Sequence, residues 1–228
     1  MNATGEILYN GIWHANDDQV AEKTATTEWK VFFGLAENEL EVVNAEQQAS
    51  SFWPTFVDVF SAVDSAGLAT PRYNAIYQAK LEQRSSGSQL FYGQDASEFD
   101  ATVQQELSRG RSIRAISTFQ EQSGLVRITS LFGSHNDGFD RQIRYAMTMN
   151  QAETEFEDLQ KQGYALEFMS ASRSQGGQPP LFSGIFVESP LGQSSGELPF
   201  ARIGIEDQEN TVNMLLGGGY VPVLVDAY

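Results

Sequence analysis

A five-residue apolar pattern recurs four times along the chain, and it restricts the possible folds more than any other feature of the sequence. The copies are Tyr9–Trp13, Tyr73–Tyr77, Ile128–Phe132 and Phe182–Phe186. Each reads aromatic or Ile, small polar, tiny, aliphatic, aromatic. The closing aromatics fall at 13, 77, 132 and 186, in steps of 64, 55 and 54, and the step from 186 through the C-terminus round to 13 is again 55. A second apolar segment precedes three of the copies by about a dozen residues, at Thr55–Ser61, Arg111–Ser117 and Tyr164–Ser170. Its fourth copy, Tyr220–Asp226, has no partner downstream, but Ile7–Trp13 at the start of the chain supplies one. The spacing therefore predicts an α/β repeat protein forming a closed four-repeat toroid or propeller-like ring, its N- and C-terminal strands pairing. Closure of this kind removes open sheet edges, which otherwise invite aggregation.

Local signals fill in one unit. Asp95-Ala96-Ser97-Glu98 and Asn150-Gln151-Ala152-Glu153 have the form of a helix start in which cap and Glu satisfy each other's backbone amides. Leu107-Ser108-Arg109-Gly110 and Lys161-Gln162-Gly163 read as helix ends. Hairpin turns are expected at Asp64–Pro71, Gln120–Gly124 and Ser172–Pro180, and a third strand at Trp29–Phe33, Gln89–Tyr92, Ile143–Met149 and Phe200–Ile205. The expected unit is helix, hairpin, strand. The units are placed at 206–228 with 1–33, 34–92, 93–149 and 150–205, all within one domain. Extra residues between 34 and 54 are taken to explain the longer first step. Such a unit cannot cover its own apolar face, so neighbours must do so. Flexible stretches are expected at Gln83–Ser88 and Ser189–Gly196.

Composition excludes several classes of function. The 228 residues contain no cysteine, which removes disulfides, thiolate metal sites and cysteine nucleophiles. Thirty acids against fourteen bases, a net charge of −16, leave no basic surplus for nucleic-acid phosphates or an anionic membrane surface. No apolar run approaches a membrane span, and the opening residues lack the form of a secretory signal. The two histidines, His14 and His135, form no paired metal-ligand motif, so no metal or other cofactor is expected.

The run Leu159–Tyr164, followed by Gly176-Gly177-Gln178-Pro179 and an aromatic strand, resembles the polyglycine hydrolase-like structural repeat, also called the bacterial tandem repeat domain. Pro71–Tyr77 is similar to the second strand of that family, and Trp29 with Gly34-Leu35 to its opening segment. The resemblance extends over nearly the whole chain as four degenerate copies. In that family the repeats accompany a catalytic domain similar to serine β-lactamases, with its nucleophile in Ser-x-x-Lys. This chain has no Ser-x-x-Lys. The resemblance thus implies the accessory repeat array without hydrolysis.

Two sets of residues are candidates for binding. Ser61, Ser117, Ser170 and Asp226 align with one another, as do Asn10, Asn74, Thr129 and Ser183. Strand alternation puts Val57, Val59 and Ser61 on one face, and likewise Leu166, Phe168 and Ser170. Closure would gather the polar members into a ring, either a ligand pocket or a set of mutual hydrogen bonds. The hairpin tips form the second set, where Arg72, Arg173 and Gln175 would meet a carboxylate or a carbonyl-rich peptide. The acidic helical rim could instead engage a basic partner. The favoured expectation is a non-catalytic binding or scaffold protein for a peptide, glycan or protein. The alternatives are a hydrolase with a carboxylate or serine site in the central depression, and an accessory subunit of a larger assembly.

Overall fold

The computed structural model describes residues 28–63, 69–79, 87–134, 138–172 and 180–188. One topology occurs three times in them: strand, helix, hairpin. The elements are β1 (Trp29–Leu35), α1 (Glu37–Ala49), β2 (Phe52–Val63) and β3 (Ala69–Ala79), then β4 (Gln89–Gln94), α2 (Ala96–Ser108), β5 (Arg111–Gln120) and β6 (Val126–Ser134). The third set is β7 (Arg141–Met147), α3 (Met149–Lys161), β8 (Tyr164–Ser172) and β9 (Leu181–Glu188). Each set makes its own antiparallel three-stranded sheet, ordered β1-β3-β2, β4-β6-β5 and β7-β9-β8. No closed sheet occurs among the described residues.

This pairing fixes the phase of the repeat. The strand before each helix pairs with the hairpin after it, so the sheet-forming units span 29–79, 89–134 and 141–188. Sequence alone attached that strand to the preceding unit, because a pairing across an intervening helix leaves no local mark. The recurrent five-residue pattern is the centre of all three described sheets, which explains why it is the most visible repeat. Tyr77, Phe132 and Phe186 are all buried there. Trp13, Ile7–Trp13, Tyr220–Asp226 and Phe200–Ile205 lie outside the described residues, as do both histidines.

The expected insertion between 34 and 54 is not there. All three helices have thirteen residues. Within the described residues the extra length belongs to the first hairpin, Phe52–Ala79, against Arg111–Ser134 and Tyr164–Glu188. The cap of α2 is as expected, with the Asp95 side chain accepting from the Glu98 amide at 2.9 Å. The cap of α3 lies two residues earlier than the Asn150–Glu153 motif suggested. Thr148 caps and Gln151 closes the box, its Oε1 accepting from the Thr148 amide at 2.8 Å. The Thr-x-x-Gln variant satisfies the same amides as the Asp-x-x-Glu of α2.

Register irregularities also repeat. Thr55, Arg114 and Glu167 each bulge from the hairpin's first strand. Because the bulges fall at equivalent places, the register across each hairpin fixes the alignment of the polar positions. Asp58, Ser117 and Ser170 stand opposite Asn74, Thr129 and Ser183, so Asp58 rather than Ser61 is the counterpart of the two serines. The Glu167 bulge likewise turns Leu166 toward Phe186 and Phe168 toward Ile185, so Leu166 and Phe168 do not share a face. A second bulge interrupts β1, β4 and β7 just before each helix. Gly34 and Gly93 adopt φ of 66° and 65° there, and Ala146 takes 53° in the third copy. Left-handed backbone suits glycine and strains alanine.

The cores are shared between units. The first joins Leu40, Val59, Tyr73 and Tyr77 of unit one to Ala115, Phe119 and Leu131 on the back of the second sheet. The next joins Phe99, Ile116, Ile128 and Phe132 of unit two to Ile185 on the back of the third. The first two helices with their sheets therefore form cores that the following unit closes. The strands β2, β5 and β8 converge, with β2 packed on β5, β5 on β8, and Phe56 reaching Phe168 at 6.3 Å between ring centres. One helix position in each unit faces inward, occupied by Gln47, Glu106 and Leu159. The fully buried Glu106 carboxylate accepts from Arg109 and Arg111, each at 2.7 Å.

Candidate binding groove

At the hairpin-tip end, a groove of about 570 Å3 separates the first and second units. Thr70, Pro71 and Tyr73 of β3 form one wall, and Phe119 of β5 with Glu121–Ser123 of the second tip forms the other. Glu37 and Gly93 lie across its floor, and Arg127 borders it. Local folding puts each group there. Alternation along β3 turns Pro71 and Tyr73 to the same side. Glu37 is the first residue of α1, following the bulge at Gly34. The second tip is a tight turn closed by the Gly124 amide donating to the Glu121 carbonyl at 2.9 Å.

The charges in the groove are unequal. Arg127 Nε donates to Glu121 at 2.7 Å, and its Nη1 reaches the Gly93 carbonyl at 3.5 Å. This pairing holds the Glu121 carboxyl below the usual carboxylate range. Glu37 has no cationic partner among the described residues. Its Oε2 receives the Tyr73 hydroxyl at 3.5 Å. Burial first, and the nearby Glu37 charge second, push the Tyr73 phenol well above its ordinary ionisation range. Tyr73 is therefore a neutral donor beneath a charged carboxylate.

The residues singled out from sequence fall elsewhere or serve the fold. Ser170 is buried and donates to the Ile116 carbonyl of the neighbouring unit at 2.7 Å. Asn74 Oδ1 accepts from the Gly34 amide at 3.2 Å, and Ser183 Oγ accepts from the Ala146 amide at 3.4 Å, so the polar partner supports the bulge in both units. Arg72 sits between two lining residues but turns aside, reaching Glu39 at 4.0 Å. Asn10, Arg173, Gln175 and Asp226 lie outside the described residues. Among the described residues no group of three His, Cys, Asp or Glu side chains is arranged to hold a metal. No helix among them is long and apolar enough to cross a membrane.

Comparison with known proteins agrees with the phase of the unit. Residues 140–189 match the profile of the polyglycine hydrolase-like structural repeat. Residues 140–189 thus carry this repeat. The matched span runs from just before β7 to just after β9, so its limits coincide with one complete strand-helix-hairpin sheet. The first two units share the topology and both bulges of the repeat. A search of curated proteins finds no match to the chain.

A second groove, about 330 Å3, lies between α2 and residues 139–145 of the third unit. Leu107 and Phe139 stand partly exposed at its margin. Sequence reasoning anticipated the tip at 120–124 but missed Glu37, Gly93 and Phe119. The available signal was Ala36, where α1 lacks the capping side chain that Asp95 and Thr148 provide, so that the start of α1 departs from the repeated pattern.

Proposed function

We propose that the chain is a non-catalytic binding or scaffold protein, built as a closed ring of four units and engaging a peptide, glycan or protein partner at its hairpin-tip end. The groove between the first two units carries this reading. It is lined by Glu37, Gly93 and the second tip, at the end of the scaffold where loops are free to vary without disturbing the shared cores. Ring closure draws support from the composite cores. Each described core is closed by the next unit, which leaves the back of the first sheet and the helix side of the third sheet as natural partners for one more unit. Residues 189–228 with 1–27 have about the length such a unit needs.

The test is photocrosslinking from the groove. A benzoylphenylalanine introduced at Gln122 should capture a discrete partner from the native extract, and the same group at Gln104 in the second groove should not. Identical adducts from both positions, or none from Gln122, would reject the tip-end reading.

A further inference from the structure

We infer that the groove between the first and second units is a subsite for a lysine or arginine side chain of a peptide partner. The inference rests on the tip-end binding reading and adds the chemistry of the ligand. Of the three ionisable side chains that line the groove and carry charge at neutral pH, two are carboxylates. The single cation, Arg127, is held by Glu121 and the Gly93 carbonyl. Glu37 remains as a negative charge without a counterion among the described residues, and Tyr73 orients it from below at 3.5 Å.

Gly93 lies directly beside that carboxylate, where a β-carbon would stand in ordinary contact, 3.6 Å from Glu37 Oε2. The apolar wall of Pro71, Tyr73 and Phe119 suits the methylene stem of a long basic side chain, whose charged end would meet Glu37. Gln122, Ser123 and Thr70 at the rim supply the donors and acceptors that an extended peptide backbone requires. The protein's net charge of −16 favours the approach of a cationic partner from a distance. Long-range attraction alone would not select one groove, so Glu37 is the specific element.

The experiment uses the full chain, labelled with 15N, and three acetylated, amidated pentapeptides, Ala-Ala-Xaa-Ala-Ala, with Xaa lysine, norleucine or glutamate. The lysine peptide should shift the Gly93 and Ser123 amides saturably and bind about tenfold more tightly than the norleucine peptide, the scale of one charge-assisted contact. Glu37→Gln should abolish that advantage at unchanged thermal stability, whereas Glu46→Gln, at the other end of α1, should keep it. Equal binding of the lysine and norleucine peptides overturns the cation assignment and leaves the groove reading standing. Equal losses in Glu37→Gln and Glu46→Gln also overturn it, because the attraction would then be a diffuse field. If no peptide shifts either amide, the cation assignment and the groove reading both fall.

Discussion

Ser117 Oγ donates to Asp58 Oδ1 at 2.8 Å, across the boundary between the first two units and away from water. The same hydroxyl oxygen accepts from the Val59 amide at 3.2 Å. One small side chain thus satisfies a buried carboxylate and a buried amide of its neighbour. Ser117→Ala should cost about 1–3 kcal/mol, the penalty of leaving such groups short of a partner. Urea denaturation followed by tryptophan fluorescence would measure it, and a loss below about 0.5 kcal/mol would mean that the contact is dispensable.

Glu106 tests the economy of a buried charge. Glu106→Ala should destabilise by about 3–5 kcal/mol, since Arg111 would lose its carboxylate in a largely enclosed setting. The third unit places Leu159 and Tyr164 at the equivalent positions. The double exchange Glu106→Leu with Arg111→Tyr should therefore recover most of the loss. Thermal melts of the three proteins decide the matter, and a double variant no better than Glu106→Ala would show that the units are not interchangeable there.

Ala146 occupies the left-handed position that glycine takes in the two earlier units. Ala146→Gly should raise stability by about 0.5–1 kcal/mol, as relief of strain outweighs the added freedom of the unfolded chain. Gly93→Ala should do the reverse, by about 1–2 kcal/mol. Differential scanning calorimetry should show the two melting temperatures moving in opposite directions.

Tyr73 and Tyr77 predict an alkaline limit. Burial is the first cause that raises both phenols well above their ordinary range. Unfolded tyrosines ionise near pH ~10. The folded state holds its protons where the unfolded state has lost them, so the stability contributed by the two phenols is complete below that pH and is lost as pH rises beyond it. Absorbance at 295 nm should show two tyrosines titrating only with the unfolding transition. Tyr77→Phe should remove one of them, and smooth ionisation of all tyrosines in the native protein would contradict the burial.

Ring closure makes a further prediction. Deleting residues 1–14 should remove most of the stability, because on this reading it halves one hairpin. A truncated protein that melts with the full chain would dismiss the closed ring.

The centre of each sheet was legible in the sequence because β6 and β9 are covered on both sides, which imprints an apolar pattern on consecutive residues, while β3 alternates buried Tyr73, Ala75 and Tyr77 with half-buried neighbours. The helix ends at Gly110 and Gly163 were legible for a local reason as well, since their chemistry sits within one turn. The partner of Trp29–Leu35 was not, because it is chosen by a hydrogen-bond ladder forty residues away in β3. Ser61 was aligned with Ser117 because a constant spacing to the central strand overlooks the longer first hairpin, and only the register reveals Asp58. The groove escaped for a related reason: Glu37 and Phe119 are distant in sequence and meet only through the packing of one unit on the next.

The shared cores have a consequence for how the molecule comes apart. The unit that carries a sheet and the unit that melts cooperatively are out of step, because both described apolar clusters take their lid from the next repeat. A nick between β3 and β4 would cut the chain between two sheets without separating the residues that depend on each other. Hydrogen exchange should accordingly protect blocks that straddle the repeat boundaries, so the places where the sequence repeats are not the places where the protein divides.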